Sequence, residues 1–385
     1  MNTIELTKKL ISIPSYVNQK QNEAEIGLFL YNYFKKSGHL DVIKQNVDGK
    51  RFNLIVKDKY PTKVIFCGHV DTVQPGSGWK TDPLRPVTKN NCIYGLGASD
   101  MKGNLAALVS AFLSVKETKG LMLLFYVDEE YDLFGMRKFI DEYKGKIKPT
   151  LVISADGRNL SIGNGCRGVI EVTFVVQGKT GHASRPSSGN NAILSSIKAV
   201  ENFIALIDKK YNDSVLGSST CNLAFLQGGL DIGNSSIPQI QLGREGNNIP
   251  DIAEFVLDIR PASSKLTSRT TVKLFKKLLE EQGLKLREYK VRTDQGNWVT
   301  PTKNLKPIEN LIKGIFPVQY LDIAKYGYID IQMVWQAFGR PVSFTIGAGD
   351  FEISHKPNEF IDTNKLLLLE KAFIVLIKNF AKGGD

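Results

Sequence analysis

The sequence predicts an α/β fold with a mostly parallel central sheet and a smaller α+β domain inserted into it. Three observations carry this. Short, wholly apolar runs alternate with helix-length amphipathic segments, the pattern of parallel strands buried on both faces. From about residue 168 the texture changes to period-two alternation between two amphipathic helices. The length, 385 residues, suits two domains.

The elements follow in order. Val64 to Cys67 reads as a buried strand, as do Leu121 to Val127, Leu151 to Ser154 and Val342 to Ile346. Asn104 to Val115 and Gly135 to Tyr143 read as helices. In the inserted part, Val169 to Val176 alternates as a strand and Ala192 to Ile207 is helical. Ala253 to Ile259 is a strand, Thr267 to Gln282 a charged amphipathic helix, and Lys285 to Val291 a strand. These five elements can close a small sheet of their own, which sets the boundaries at 1–167, 168–295 and 296–385. Asn297 to Pro301 marks the return to the first domain.

Composition excludes several classes. A hydrophobic content of 42 % with 23 % charged residues is that of a globular chain and not of a disordered or fibrous one. The longest apolar run falls far short of the roughly 18 residues a membrane span needs, and the first ten residues do not read as a signal peptide. A soluble, cytoplasmic protein without a membrane partner is expected. Cys67, Cys92, Cys166 and Cys221 form no C-x-x-C pair, so reduced thiols are expected rather than a zinc finger or redox motif. The net charge of +11 comes from dispersed lysines with no basic run, which argues against nucleic acid and suits the attraction of small anions.

Of the histidines His39, His69, His182 and His355, context singles out three. His69 follows the strand that ends at Cys67. Asp128-Glu129-Glu130 follows the most apolar run, Asp156 lies two residues beyond the Leu151 to Ser154 strand, and His355 lies beyond the Val342 to Ile346 strand. Asp100 follows the glycine-rich turn Gly95-Leu96-Gly97 at the start of a helix. In open α/β sheets, ligands bind beyond the carboxyl ends of the strands. Carboxylates gathered at that apolar edge repel one another and lose hydration, so they need a cation. Two imidazoles and three carboxylates suit zinc, with manganese or cobalt as substitutes, and one carboxylate can bridge two ions. Gly95-x-Gly97 fails as a dinucleotide fingerprint because Asp100 stands where the third glycine belongs. There is no G-x-S-x-G, H-E-x-x-H or P-loop, and nucleophilic serine or cysteine catalysis has no support.

Together, Gly68-His69-Val70-Asp71-Thr72, Gly95 to Gly103, Asp128-Glu129-Glu130, Gly181-His182-Ala183 and His355 to Glu359 resemble the motifs of one zinc-dependent metallopeptidase and deacylase family. That family includes acetylornithine deacetylase, succinyl-diaminopimelate desuccinylase, aminoacylase and glutamate carboxypeptidase. The resemblance implies a zinc-peptidase-like catalytic domain with 168–295 as a lid and dimerisation domain, and hence a homodimer. It implies two zinc ions per subunit, one on His69 and Asp156 and one on Glu130 and His355, with Asp100 between them. Asp71 would orient His69 through its second ring nitrogen, and Glu129 would be the general base. A cis peptide at Asp100-Met101 is also implied. His182 would stabilise the oxyanion in a partner subunit's site, and Asn248 and Arg260 would contact substrate.

The implied activity is amide hydrolysis of an N-acyl amino acid or short peptide. Acetylornithine deacetylase and succinyl-diaminopimelate desuccinylase are alternatives, and a catalytically silent metal-binding scaffold is the alternative from another class. Where the desuccinylases have a loop of small hydroxyl residues, this chain has Lys325-Tyr326-Gly327-Tyr328-Ile329 before Asp330.

Overall fold

A computed structural model describes the chain except residues 19–21, 39, 234–236, 238–239, 326 and 382–385; His39 and Tyr326 thus lie outside the described residues. The strands used below are, in chain order, β1 (Asp41–Asp48), β2 (Arg51–Lys57), β3 (Val64–His69), β4 (Leu121–Tyr126) and β5 (Leu151–Ser154). Next come β6 (Val169–Gln177), β7 (Thr220–Asp231), β8 (Leu242–Gly243), β9 (Ile252–Arg260), β10 (Lys285–Gln295) and β11 (Val342–Thr345). The helices used below are α1 (Thr3–Ile11), α2 (Ala24–Lys35), α3 (Gly103–Ser114), α4 (Phe134–Tyr143), α5 (Ala192–Lys210), α6 (Ser268–Glu281), α7 (Lys306–Ile312), α8 (Ile331–Ala337) and α9 (Thr363–Phe380).

The chain divides into two compact units. The first comprises 1–164, 299–321 and 329–385; the second comprises 165–298 and 322–328. The short segment 322–328, which the sequence reading assigned to 296–385, therefore belongs with the inserted unit. No periodicity marks it, because it is too short to carry one.

In the first unit the sheet order is β1-β2-β4-β3-β5-β11. The last four strands run parallel to one another, and β1 and β2 form an antiparallel edge. Every residue of β3, β4 and β5 is buried, whereas in β1 only Val42 and Gln45 are. This is the difference expected between strands covered on both faces and a strand covered on one. Helices α1, α3 and α9 pack together, and Leu105, Leu108, Leu369, Phe373 and Leu376 join one core with Phe66 and Phe125.

In the second unit the sheet order is β8-β7-β9-β6-β10, antiparallel throughout. Helices α5 and α6 lie on it, and Phe174, Phe203, Phe255 and Phe275 stack between helices and sheet. On β7 and β10, Phe225, Tyr289 and Val291 are exposed. None of the four cysteines is in a disulfide; Cys67 and Cys166 are buried, and Cys92 and Cys221 half-buried. Among the described residues no helix is long and apolar enough to cross a membrane.

Candidate metal centre

Because β4, β3, β5 and β11 are parallel neighbours, their carboxyl ends open on one edge of the first unit. His69 is the last residue of β3, Glu129 and Glu130 follow β4, Asp156 follows β5, and His355 lies in the turns after β11. Asp100 reaches the same place from the turn before α3, and its peptide bond to Met101 is cis. Gly97 enters that turn at φ +74°, in the left-handed region that glycine adopts without a side-chain clash.

The side chains converge. Asp100 lies between the two imidazoles: its Oδ1 is 3.2 Å from Nε2 of His69 and its Oδ2 is 3.4 Å from Nε2 of His355. His355 Nε2 is also 2.9 Å from Oε1 of Glu130. Three ligand-bearing groups each fall within 4.8 Å: His69, Asp100 and Asp156; Asp100, Glu130 and His355; and His69, Glu129 and Glu130. Asp100 is common to the first two groups.

The residues behind this centre hold it in place. Glu359 accepts hydrogen bonds from the main-chain N–H groups of Gly97, Ser99 and Asp100 at 2.8–2.9 Å and so fixes the turn that carries Asp100. Asn104 on α3 donates to the carbonyl of Ala155 and accepts from the N–H of Ala348, tying the ends of β5 and β11 together. Those two loops touch so closely that a Cβ on Gly157 would lie 2.2 Å from the main chain of Ile346. Asp71 accepts the N–H of Glu130 at 2.9 Å. Its main-chain carbonyl is 3.1 Å from Nδ1 of His69, closer than its carboxylate at 3.6 Å. The contact implied for the Asp71 carboxylate is therefore made first by its carbonyl. With a metal ion on Nε2, Nδ1 would carry the proton and donate it to that carbonyl.

Behind Glu129 and Glu130, Asp128 takes a left-handed backbone at φ +69°. Arg51 from β2 holds it, with Nη1 2.6 Å from Oδ1 of Asp128 and 3.3 Å from Glu23. The second Asp128 oxygen accepts the N–H groups of Asp132 and Phe134 at 3.2 Å.

The electrostatics describe a site in need of positive charge. Burial first, then Asp330, pushes the Glu129 carboxyl well above its usual range. Burial likewise raises Glu130, and Asp100 adds to it. Hydrogen bonds to Asp100 and Glu130 raise His355 to about 10. Asp100 goes the other way: burial opposes it, but Arg158 and the two imidazoles hold its carboxyl well below the usual carboxylate range. Glu129 and Glu130, which burial and neighbouring carboxylates keep from ionising, are the groups a divalent cation would relieve. The mixed nitrogen and oxygen donors fit zinc, cobalt or manganese.

With this geometry in hand, known proteins can be compared. Residues 65–379 match Peptidase family M20/M25/M40. The chain belongs to this family. Family M20 comprises metal-dependent peptidases and deacylases that act on amide bonds. The chain is 27 % identical to acetylornithine deacetylase of Buchnera aphidicola subsp. Schizaphis graminum, an alignment covering 98 % of this chain and 97 % of that one. It is 26 % identical to succinyl-diaminopimelate desuccinylase of Helicobacter pylori, covering 99 % and 100 %. The fold matches a solved M20 metallo-carboxypeptidase of Sulfolobus solfataricus, Sso-CP2, with a TM-score of 0.78 at 19 % identity, covering 99 % of this chain and all of that one.

The second unit of this M20 chain carries His182, Asn248 and Arg260. His182 is exposed and forms an isolated antiparallel bridge with Asn248, and its Nδ1 lies 2.8 Å from the hydroxyl of Ser184. The Arg260 fork meets Asp258, two residues away on β9, at 2.7 and 2.9 Å. Any substrate carboxylate at Arg260 must share it with that partner.

Sequence reasoning missed Arg158, Arg51, Asn104 and the role of Glu359. Arg158 could have been suspected from its place two residues after Asp156. Arg51 carried no signal, since its partner Asp128 is 77 residues away.

Proposed function

We propose that this chain is a two-metal amidohydrolase, with zinc as its ion and cobalt or manganese as substitutes. It would release the acyl group of an N-acyl amino acid or a terminal residue of a short peptide. The observation that carries the reading is Asp100 shared by two ligand groups, with His69 and Asp156 and with Glu130 and His355, beside the half-buried Glu129. When bound, divalent ions at such a centre polarise an amide carbonyl and make water a nucleophile near neutral pH.

The remaining work falls to the protein. Glu129 touches the ligand group of His69 and Glu130 without belonging to either pair above, so it is free to move a proton. It takes the proton of the attacking water at its carboxylate and returns it to the departing amine nitrogen. Asp71 fixes the His69 ring, and Glu359 fixes the turn of Asp100. His182 is assigned to the oxyanion, and Asn248 and Arg260 to substrate, in a homodimer joined through the second unit. The names of the relatives favour acyl amino acids as substrates, with N-acetyl and N-succinyl compounds first.

The test is a panel of N-acetyl and N-succinyl amino acids and dipeptides, assayed on metal-depleted protein with zinc, cobalt or manganese restored. Hydrolysis that chelators abolish and metal restores is expected. Full activity of the metal-free protein overturns the reading.

A further inference from the structure

The first unit also holds a cavity of about 210 Å³ at the amino end of β11, the opposite end of that strand from the metal centre. The length of β11, about 10 Å, lies between them. Val299, Pro301, Pro341 and Val342 give the cavity apolar walls, and Asn304, Trp335 and Arg340 bring polar groups to it. Arg340 stands just beyond α8 in a left-handed backbone at φ +61°, and its N–H donates to the carbonyl of Trp335 at 2.8 Å. The guanidinium lies over the indole, 5.1 Å from the ring centroid. A guanidinium held against a ring keeps its in-plane donors for a further acceptor.

Among the described residues, the guanidinium of Arg340, the side-chain amide of Asn304 and the indole N–H of Trp335 have no hydrogen-bond partner, and Arg340 has no carboxylate partner. No acidic residue is among those that line the cavity, so it can receive an anion but has nothing to balance an ammonium. Its volume is below the roughly 300–1,000 Å³ of sites for drug-sized ligands, so the occupant is small. We propose that this cavity is a second small-molecule site, which takes a monocarboxylate of amino-acid size with an apolar body and no free amine. The Arg340 fork grips the carboxylate, and the apolar walls cover the body. N-acyl amino acids have this chemistry and free amino acids do not. The site does not depend on the metal-centre reading, and either can fail without the other.

The test follows the indole N–H signals of isotope-labelled full-length protein by NMR while isocaproate is added. The chain has three tryptophans, and Trp335→Phe assigns the signal of Trp335. On zinc-restored and on metal-depleted protein alike, that signal is expected to shift with a dissociation constant of about 1 mM or below, while those of Trp79 and Trp298 stay. Leucine, which adds an ammonium to the same skeleton, and isocaproamide, which removes the charge, should bind at least about tenfold more weakly. Arg340→Met should weaken isocaproate by about tenfold or more, its fold checked by the unmoved signals of Trp79 and Trp298, and Arg340→Lys should lose less. Should Arg340→Met fail to fold, the three ligands compared on the wild-type chain decide. No shift at about 20 mM isocaproate overturns the proposal. So does an affinity that Arg340→Met leaves unchanged, or equal binding of leucine, the amide or inorganic phosphate. A Trp335 response that appears only with zinc would place the acid at the metal centre and overturn it as well.

Discussion

In the first unit, Asp100, Asp128 and Asp156 are each less than a tenth exposed, and Arg51 and Arg158, themselves buried, are the guanidinium groups that reach them. In the second unit, Glu171, Asp231 and Asp258 meet Arg292, Arg287 and Arg260 on a sheet whose partners remain open to solvent. Distances of 2.5–3.0 Å are common to both regions. The consequences differ because water screens the second set and not the first. A solvated pair can lose a partner at little cost, whereas a buried carboxylate that loses its cation must protonate or destabilise the fold. The same distance is therefore a weak coupling in one unit and a strong one in the other.

The largest expected effect lies in the first unit. Glu129→Gln should lower kcat by about 10³-fold while metal content, measured by atomic emission, stays at the wild-type level. Equal loss of metal would make Glu129 a ligand and not a base. Next, Arg51→Met should destabilise the protein by about 3 kcal/mol in urea unfolding, because Asp128 is left buried without its cation. A change below about 1 kcal/mol would show that Asp128 is adequately held by the N–H groups of Asp132 and Phe134.

A smaller effect depends on pH. Burial first, with Asp71 adding, raises the Glu23 carboxyl from 4.5 to about 7. The unfolded chain therefore releases this proton at lower pH than the folded one. The stability it contributes is complete below about pH 4.5 and declines until about pH 7. Glu23→Gln does not titrate, so its melting temperature should gain on the wild type by about 2 °C or more between pH 5 and 7.5. A constant difference across that range would place Glu23 in a more hydrated setting. Smallest of all, Arg292→Ala in the second unit should change unfolding free energy by less than about 0.5 kcal/mol and become undetectable in high salt. A loss as large as that of Arg51→Met would erase the contrast between the units.

The sequence by itself determined the fold class, since wholly apolar strands, amphipathic helices and a stretch of alternating strands each follow from local hydrophobic period. It also singled out His69, Asp100, Glu130, Asp156 and His355 as candidates, because polar residues directly after buried strands stand out against their apolar surroundings. Only the tertiary structure decided what surrounds them. Strand order sets β4, β3, β5 and β11 side by side, and that order is absent from any local pattern. The grip of Glu359 on Gly97, Ser99 and Asp100, and of Arg51 on Asp128, joins residues far apart in the chain, whose propensities carry no trace of the contact. Arg158 is the clearest case: two residues from Asp156 it reads as an ordinary charged loop residue, and only the folded chain brings its guanidinium to both Asp100 and Asp156.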